Sequence, residues 1–323
     1  MLKPMLKPMK IVAAVALMAF VGTVSAQTVG IGTTKGGATA QVSAGIAKIV
    51  SQYSGLQMRP QPMGGTQQYI STVNVGELEF GIANMMQTYM AFTGTGVSQG
   101  EKAENLRLVA TMMVFTTGIL VPKNSDIKTP LGYKGKRIPN GYDSSPLFHH
   151  LWSASLANAE LGWNDVQKVP IVALPQSFSA FKEGKIDGVI AAVGSGIVSE
   201  LNASVSGGVR FVNMLNTPEA VARTLKLAPR TYLIEVKPRP NLVGIEAPTY
   251  LLAFDYMLWA GKGVTDDVVY KVTKAMYEHE KDLHAISPLW RTHSSKNMAK
   301  DQGFPYHPGA IKFYKEVGIW KQG

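Results

Sequence analysis

Residues 106–121, Leu-Arg-Leu-Val-Ala-Thr-Met-Met-Val-Phe-Thr-Thr-Gly-Ile-Leu-Val, form a β-rich stretch that is longer than an ordinary strand. It predicts two strand segments that meet near Gly118. On both sides of this stretch, short β-like runs alternate with amphipathic helical segments, which is typical of an α/β fold. A second β-rich run covers residues 243–254. Because the α/β pattern restarts between the two runs, we predict two lobes joined by crossing strands.

The predicted elements before residue 106 have the order β-α-β-α-β, and a mostly parallel sheet is expected. Their strands are predicted at residues 29–32, 56–62 and 80–83, and their helices at 40–53 and 66–75. After residue 121 the predicted strands are 136–138, 169–173, 186–192 and 209–212, and the helices are 145–159 and 177–183. The strongest helical pattern of the C-terminal part covers residues 266–283.

Residues 1–26 have the three parts of a signal peptide. Three lysines precede an apolar run over residues 11–22, and Val24 and Ala26 fill the small-residue positions before the cleavage site. We predict cleavage between Ala26 and Gln27, and a periplasmic mature protein. The alternative is an uncleaved membrane anchor, which the shortness of the apolar run disfavours.

Composition limits the classes of function that this chain can have. It has 323 residues and no Cys, which excludes disulfides, Cys-ligated zinc and thiol catalysis. The net charge of +10 suggests nucleic acid, a membrane surface or an anionic ligand. Three of the 32 basic residues and none of the 22 acidic residues lie in the predicted signal peptide, which leaves +7. The remaining cations are scattered without interleaved aromatic residues, so no nucleic-acid partner is expected.

In the first lobe, polar and glycine-rich loops follow the predicted strands. Residues 32–37, Gly-Thr-Thr-Lys-Gly-Gly, lie between a strand and a helix, where backbone amides attract anions and glycine allows close approach. The loop lacks the spacing of a P-loop or of a dinucleotide fingerprint. Residues 64–66, Gly-Gly-Thr, repeat the arrangement, and Asn84 follows the third strand. The alternative is an ordinary strand-to-helix turn.

The second lobe has polar loops in equivalent places, at residues 140–146, 175–177 and 193–196. Their Ser, Asp and Asn residues could cap helices and have no other role. In open α/β sheets, however, ligands bind beyond the carboxyl ends of strands. The recurrence of polar strand ends in both lobes therefore favours a ligand cleft.

Catalytic alternatives fit the sequence poorly. The serines and histidines of residues 144–150 lack a G-x-S-x-G elbow, and Ser195 has flanking glycines at the wrong spacing. His279 and His284 are five residues apart, about 140° around a helix, instead of on one face as in zinc proteases. We therefore expect no enzyme activity, no catalytic residue, no metal site and no cofactor.

Five segments together resemble one family. They are residues 31–37 (I-G-T-T-K-G-G), 76–84 (G-E-L-E-F-G-I-A-N), 133–138 (Y-K-G-K-R-I), 181–188 (F-K-E-G-K-I-D-G) and 307–318 (H-P-G-A-I-K-F-Y-K-E-V-G). The third and fourth segments are common to many periplasmic binding proteins, whereas the last is more specific. In this order, the segments resemble the TAXI branch of the extracytoplasmic solute receptors of tripartite TRAP transporters.

The resemblance implies an α/β, two-lobed periplasmic-binding-protein fold of the type II-like kind, with the ligand cleft between lobes joined by crossing strands. After the signal peptide of residues 1–26, residues 27–118 would form the first part of lobe 1. Residues 119–245 would form lobe 2. Residues 246–323 would complete lobe 1 and add the C-terminal helices.

The implied function is capture of a small organic acid or amino-acid-like ligand by hinge closure. The implied partners are that small molecule and the membrane subunits of an ion-driven TRAP transporter. Two alternatives stay open, a secreted enzyme on the same scaffold and a receptor that reports to a membrane sensor.

Twelve residues at matching positions are implied to bind the ligand. They are Thr33, Thr34, Lys35, Gly65, Thr66, Asn84, Tyr142, Asp143, Ser144, Ser145, Gly194 and Ser195. Asn84 replaces a Gln that is usual in the family, and the second-lobe segments also depart from the family pattern. Lys35 could pair with a carboxylate, whereas Asp143 would repel one unless it caps a helix or meets an amine. A glutamate ligand therefore does not follow from the resemblance.

Overall fold

The computed structural model describes residues 26–240 and 242–321 of the chain. The predicted signal peptide, except for Ala26, lies outside these residues. Within the described part, none of the helices combines the length and the apolar composition needed to cross a bilayer.

The described residues form ten strands and ten α-helices. In chain order the strands are β1 (Thr28–Thr34), β2 (Gln57–Met63), β3 (Phe80–Asn84), β4 (Leu106–Pro122), β5 (Arg137–Gly141), β6 (Gln167–Ile171), β7 (Val189–Ala192), β8 (Val209–Phe211), β9 (Tyr232–Val236) and β10 (Thr249–Gly261). The helices are α1 (Gly37–Tyr53), α2 (Thr66–Asn74), α3 (Met85–Thr93), α4 (Leu147–Asn158), α5 (Leu174–Lys182), α6 (Gly196–Ser204), α7 (Pro218–Leu227), α8 (Asp266–Glu278), α9 (Glu280–Ile286) and α10 (Pro308–Glu316). Short 3-10 turns cover Gly96–Ser98, Pro130–Tyr133, Pro288–Thr292 and Ser295–Asn297.

Eight of these strands form one sheet in the order β2-β1-β3-β10-β4-β7, with β8 paired to β4 and β9 to β10. β1 is parallel to β2 and β3, whereas β10 is antiparallel to β3 and β4. β5 and β6 form a separate parallel pair. The α/β fold class is confirmed, but the expectation of a mostly parallel sheet is wrong at its centre. The reason is that β10 returns to the first lobe against the direction in which β4 leaves it.

The long β-rich stretch is one strand, not the two predicted segments. β4 pairs with β10 from Leu106, opposite Gly261, to Thr117, opposite Leu252, with two register shifts between these ends. At Gly118 β4 continues without a break and pairs with β7 on its other edge. A ladder of this length makes β4 and β10 the common spine of both lobes.

Along each spine strand, the side chains at one end are buried in one hydrophobic core and those at the other end in a second core. In β4, Phe115 is buried in a first hydrophobic core and Ile119 in a second one. In β10, Leu252 belongs to the second core and Phe254 to the first. The chain therefore has two lobes, each with its own core, and β4 and β10 cross between them.

Two other predicted elements differ from those observed. The second β-rich run was expected at residues 243–254, but β10 begins only after Pro248 and continues to Gly261. A proline cannot donate to a strand ladder, which explains the later start. The C-terminal helix breaks at His279, whose ring stacks on that of Tyr53 with the centroids 3.4 Å apart. The sequence patterns also do not predict α3, α6, α7 or β9.

The segments at residues 133–138 and 181–188, two of the five that carry the family resemblance, contact each other. The Arg137 amide donates to Asp187 Oδ2 at 2.7 Å, and its guanidinium Nη2 donates to Oδ1 at 2.5 Å. The same guanidinium donates to the Gly184 carbonyl at 2.7 Å. These contacts join β5 to the turn that leads into β7, so the motif residues serve the fold of the second lobe.

We predict that Asp187→Ala lowers the free energy of unfolding by about 1–3 kcal/mol, because it removes charge-assisted hydrogen bonds to Arg137. Urea denaturation measures the change. Lys185→Ala is the control, since its ion pair with Glu183 has side chains that are 68% and 54% exposed. Such exposed pairs contribute about 0–1 kcal/mol. Equal losses in the two variants would contradict a structural role for the Arg137–Asp187 pair.

Candidate functional site

A cavity of about 170 Å³ lies between the lobes, at the crossing of β4 and β10. Phe115 and Thr117 of β4 and Phe254 and Tyr256 of β10 line it. The Phe115 ring stacks on Phe254 and on Tyr256, with ring centroids 5.6 and 4.7 Å apart. The crossing strands thus give the cavity an aromatic floor.

Three first-lobe loops form one wall of the cavity. Thr34 ends β1 and Lys35 follows it, Thr66 begins α2 after β2, and Asn84 ends β3. Since β1 is parallel to both neighbours, the carboxyl ends of these strands meet at one edge of the sheet. Lys35 is the one charged residue among the described residues that line the cavity.

Asn84 acts as the N-cap of α3 as well as lining the cavity. Its Oδ1 accepts from the Gln87 amide N–H at 2.8 Å, and its Nδ2 donates to Gln87 Oε1 at 2.8 Å. Gln87 also lines the cavity and is not among the residues predicted to bind the ligand. The spacing Asn-x-x-Gln resembles that of a capping box and was the available signal. With its Oε1 bonded to Asn84, Gln87 has its Nε2 available as a donor.

Thr33 does not line the cavity. It is buried, and its hydroxyl donates to the Thr39 carbonyl at 3.4 Å. Thr34 donates to the Gly36 carbonyl at 2.7 Å, so both hydroxyls hold the loop before α1 in shape. Thr39 then reaches the cavity floor, where its Oγ1 lies 2.8 Å from the Tyr256 hydroxyl.

Residues 142–145 of the second lobe, all predicted to bind the ligand, lie in three different environments. Ser144 and Ser145 line the cavity. Tyr142 points into the second core, fully buried, and burial raises its pKa to about 12. Asp143 is exposed and lines an outer groove of about 670 Å³. The carboxylate that would repel an anion is therefore directed away from the cavity.

The loops at Gly64 and Ser145 separate the cavity from this outer groove. The Ser145 hydroxyl donates across the cleft to the Gly64 carbonyl at 3.1 Å. Gly65 lies so close to Ser144 that a Cβ at this position would overlap the Ser144 carbonyl oxygen. These two residue pairs close one side of the cleft.

Gly194 and Ser195 lie at another contact between the lobes and do not line the cavity. Gly194 faces Pro288 of the first lobe, and Ser195 donates to the Ala192 carbonyl at 2.7 Å. The next amide, that of Gly196, donates to Gln41 Oε1 of α1 at 3.3 Å. The structure therefore places this predicted ligand loop at a contact that holds the lobes together.

The second-lobe wall of the cavity is mainly apolar, whereas the sequence predicted polar loops on this side of the cleft. Its side chains from α4 and α5 include Leu147, Phe148, Leu151, Leu174 and Phe178. On a helix, apolar spacing indicates burial but not whether the side chain faces a core or a cleft.

Residues 26–240 and 242–321 contain no group of three or more His, Asp or Glu side chains arranged to hold a metal ion. The residues that line the cavity carry hydroxyl and amide groups and one ammonium group, that of Lys35. They can bind an anion by hydrogen bonds and charge, while the aromatic floor and the apolar wall can pack against the rest of a small molecule.

The two lobes, the crossing strands and the cavity between them define the fold of a periplasmic solute-binding protein. The chain belongs to the NMT1-like family, whose sequence pattern matches residues 31–318. This match extends over both lobes and both spine strands.

Several solved structures are similar. MatC from Rhodopseudomonas palustris, with bound malate, is 16% identical with a TM-score of 0.55, over 91% of this chain and 97% of MatC. A structure described as a periplasmic transporter is 16% identical with a TM-score of 0.57, over 90% of this chain and 93% of its own. The binding protein of an ABC phosphonate transporter from Pseudomonas aeruginosa is 9% identical with a TM-score of 0.50, over 84% and 80%. At such identities the likeness concerns the fold.

We predict that Gly65→Ala shifts the protein towards an open form, because its new Cβ would meet the Ser144 carbonyl oxygen only when the lobes close. The backbone of Gly65 is extended, with φ −169°, so alanine adds no strain of its own. The chain has no Cys. Dyes on Lys134→Cys and Lys281→Cys, one in each lobe, therefore report the lobe distance by single-molecule energy transfer.

Gly36→Ala is the matched control for this experiment. Gly36 is also the N-cap of a helix with an extended backbone, φ −177°, but a Cβ there meets nothing within 4 Å. We expect the lobe distance of Gly36→Ala to equal that of the parent protein. A Gly65→Ala protein with the parent's distance distribution would contradict the proposed closing contact.

Proposed function

We propose that this protein is an exported receptor that captures a small organic anion between its lobes and delivers it to a membrane transporter. The observation that carries the proposal is the cavity at the lobe junction, whose one charged lining residue among those described is Lys35. Export is supported by the signal-peptide pattern of residues 1–26.

Groups from both lobes surround the cavity, which supports capture by hinge closure. Lys35 and Thr66 come from the first lobe, and Ser144, Ser145 and Phe178 from the second. A ligand that contacts both walls binds the closed form more tightly than the open form, and it shifts the equilibrium by that difference in affinity. The spine strands allow such a change without breaking either core, since each lobe keeps its own.

For the transporter, we propose the TRAP type, on the basis of the TAXI-like segments at residues 31–37, 76–84 and 307–318. MatC carries malate and the Pseudomonas protein is named for phosphonate, so receptors of this fold serve different anions and transporters. The fold therefore does not determine the ligand class, which depends on the residues that line the cavity.

The DNA that flanks the gene tests the transporter type. We expect a gene for a large multi-spanning permease and no gene for an ATP-binding-cassette ATPase. An ATPase gene in that place would contradict the TRAP assignment and leave the receptor function standing. A sensor-kinase gene there, without a permease gene, would instead favour signalling.

We predict that Lys35→Ala weakens binding of an organic acid by about 1–3 kcal/mol, because a charge-assisted hydrogen bond to the carboxylate is lost. Calorimetry measures the affinity, with the acid that gives the largest thermal shift in a panel including malate, glutamate and benzoate.

Lys48→Ala is the charge-matched control, since Lys48 lies exposed on α1, the helix that follows the Lys35 loop, and does not line the cavity. We expect its affinity to remain within about 0.5 kcal/mol of the parent, as for surface substitutions in general. Equal affinities of Lys35→Ala and the parent would exclude Lys35 from the site.

A further inference from the structure

The two walls of the cavity differ in chemistry. The first-lobe wall offers hydrogen-bonding groups from Thr66 and Gln87, and Lys35 contributes an ammonium group. The second-lobe wall, apart from Ser144 and Ser145 at its rim, consists mainly of aliphatic and aromatic side chains of α4, α5, α6 and β7. One end of a ligand can thus form hydrogen bonds with the first-lobe wall, whereas the other end can make only van der Waals contacts with the second-lobe wall.

The first-lobe wall can neutralise one negative charge on a ligand. Lys35 is the one cation lining the cavity within the described residues, and no Asp or Glu among them lines it. A second carboxylate would lie unpaired against the apolar wall, which disfavours binding because an isolated charge loses its hydration there. The same argument disfavours an amino acid, whose ammonium group would find no carboxylate, since Asp143 faces the outer groove.

The volume of the cavity and its aromatic floor limit the size and the shape of the ligand's apolar part. Its volume is about 170 Å³. An apolar protein cavity of about 150 Å³ holds one benzene ring. The stacked rings of Phe115, Phe254 and Tyr256 form a surface against which a flat ring can lie.

From these three features we infer that the cavity selects a monocarboxylate whose apolar body is about the size of one aromatic ring, with benzoate as the simplest example. This inference rests on the proposed receptor function and names its substrate class. The carboxylate contacts Lys35 and Gln87 on the first lobe. The ring lies between the aromatic floor and the side chains of Leu174 and Phe178.

The experiment compares benzoate, benzamide, L-malate and L-glutamate by calorimetry, and follows the lobe distance with the dye pair on Lys134→Cys and Lys281→Cys. Benzoate is expected to bind at least about tenfold more tightly than malate or glutamate, and to bring the lobes together. Benzamide has the same ring without the charge, so it is expected to bind at least about tenfold more weakly than benzoate.

A variant tests the apolar wall separately. Leu174 is half-buried at the start of α5, and Leu174→Ala removes part of the surface that packs on the ring. We expect about tenfold weaker benzoate binding, in line with the loss of a few buried methylene groups. Leu131→Ala is the control, since Leu131 is 59% exposed on the second lobe and does not line the cavity. Should Leu174→Ala fail to fold, the four-ligand comparison on the parent protein still decides.

The outcomes separate the ligand class from the receptor function. Tighter binding of malate or glutamate than of benzoate, with closure of the lobes, would overturn the monocarboxylate class and leave the receptor standing. Equal binding of benzamide and benzoate would overturn the role of the charge. Failure of every acid to bind or to change the lobe distance would overturn both proposals.

Discussion

The ladder of hydrogen bonds between β4 and β10 is the constraint on which the rest of the structure depends. Both strands run through both hydrophobic cores, and each changes core over a few residues, at 115–119 in β4 and at 252–254 in β10. Because the two strands are antiparallel and paired, both lobes share this ladder, and the contacts across the cleft and the burial of Met86 and Met90 of α3 in the second core add to it. Any change in the angle between the lobes must take place around this ladder. The cavity lies at the same place, so the hinge and the binding floor are one structure.

Glycine and serine at the ends of strands serve two purposes in this protein. Some of them face the cavity, as Ser144 does, whereas Gly65 and Gly194 let the lobes approach each other. Both purposes need short side chains and exposed backbone, which is why a sequence pattern alone does not distinguish them. The contacts across the cleft include hydrogen bonds and close approaches at these loops, and α3 also buries Met86 and Met90 in the second core.

The unequal walls of the cavity suggest how binding and closure are coupled. The first lobe offers its charge and amides at the end of β1 and at the start of α3, where a ligand can be held while the cleft is open. The apolar wall of α4 and α5 contributes only when it covers the ligand and removes apolar surface from water. Closure thus adds hydrophobic burial to a polar contact already made.

The sequence by itself determined the α/β alternation, the two lobes and the polar strand ends, because hydrophobic periodicity and turn residues act over a few neighbouring positions. It also indicated the three first-lobe loops that meet at the cavity. Only the tertiary structure decided that β10 inserts between β3 and β4, that Tyr142 turns inward while Asp143 turns outward, and that the apolar faces of α4 and α5 cover a cleft. These features depend on partners far away in the chain, and a local pattern shows that a side chain is buried but not what it is buried against.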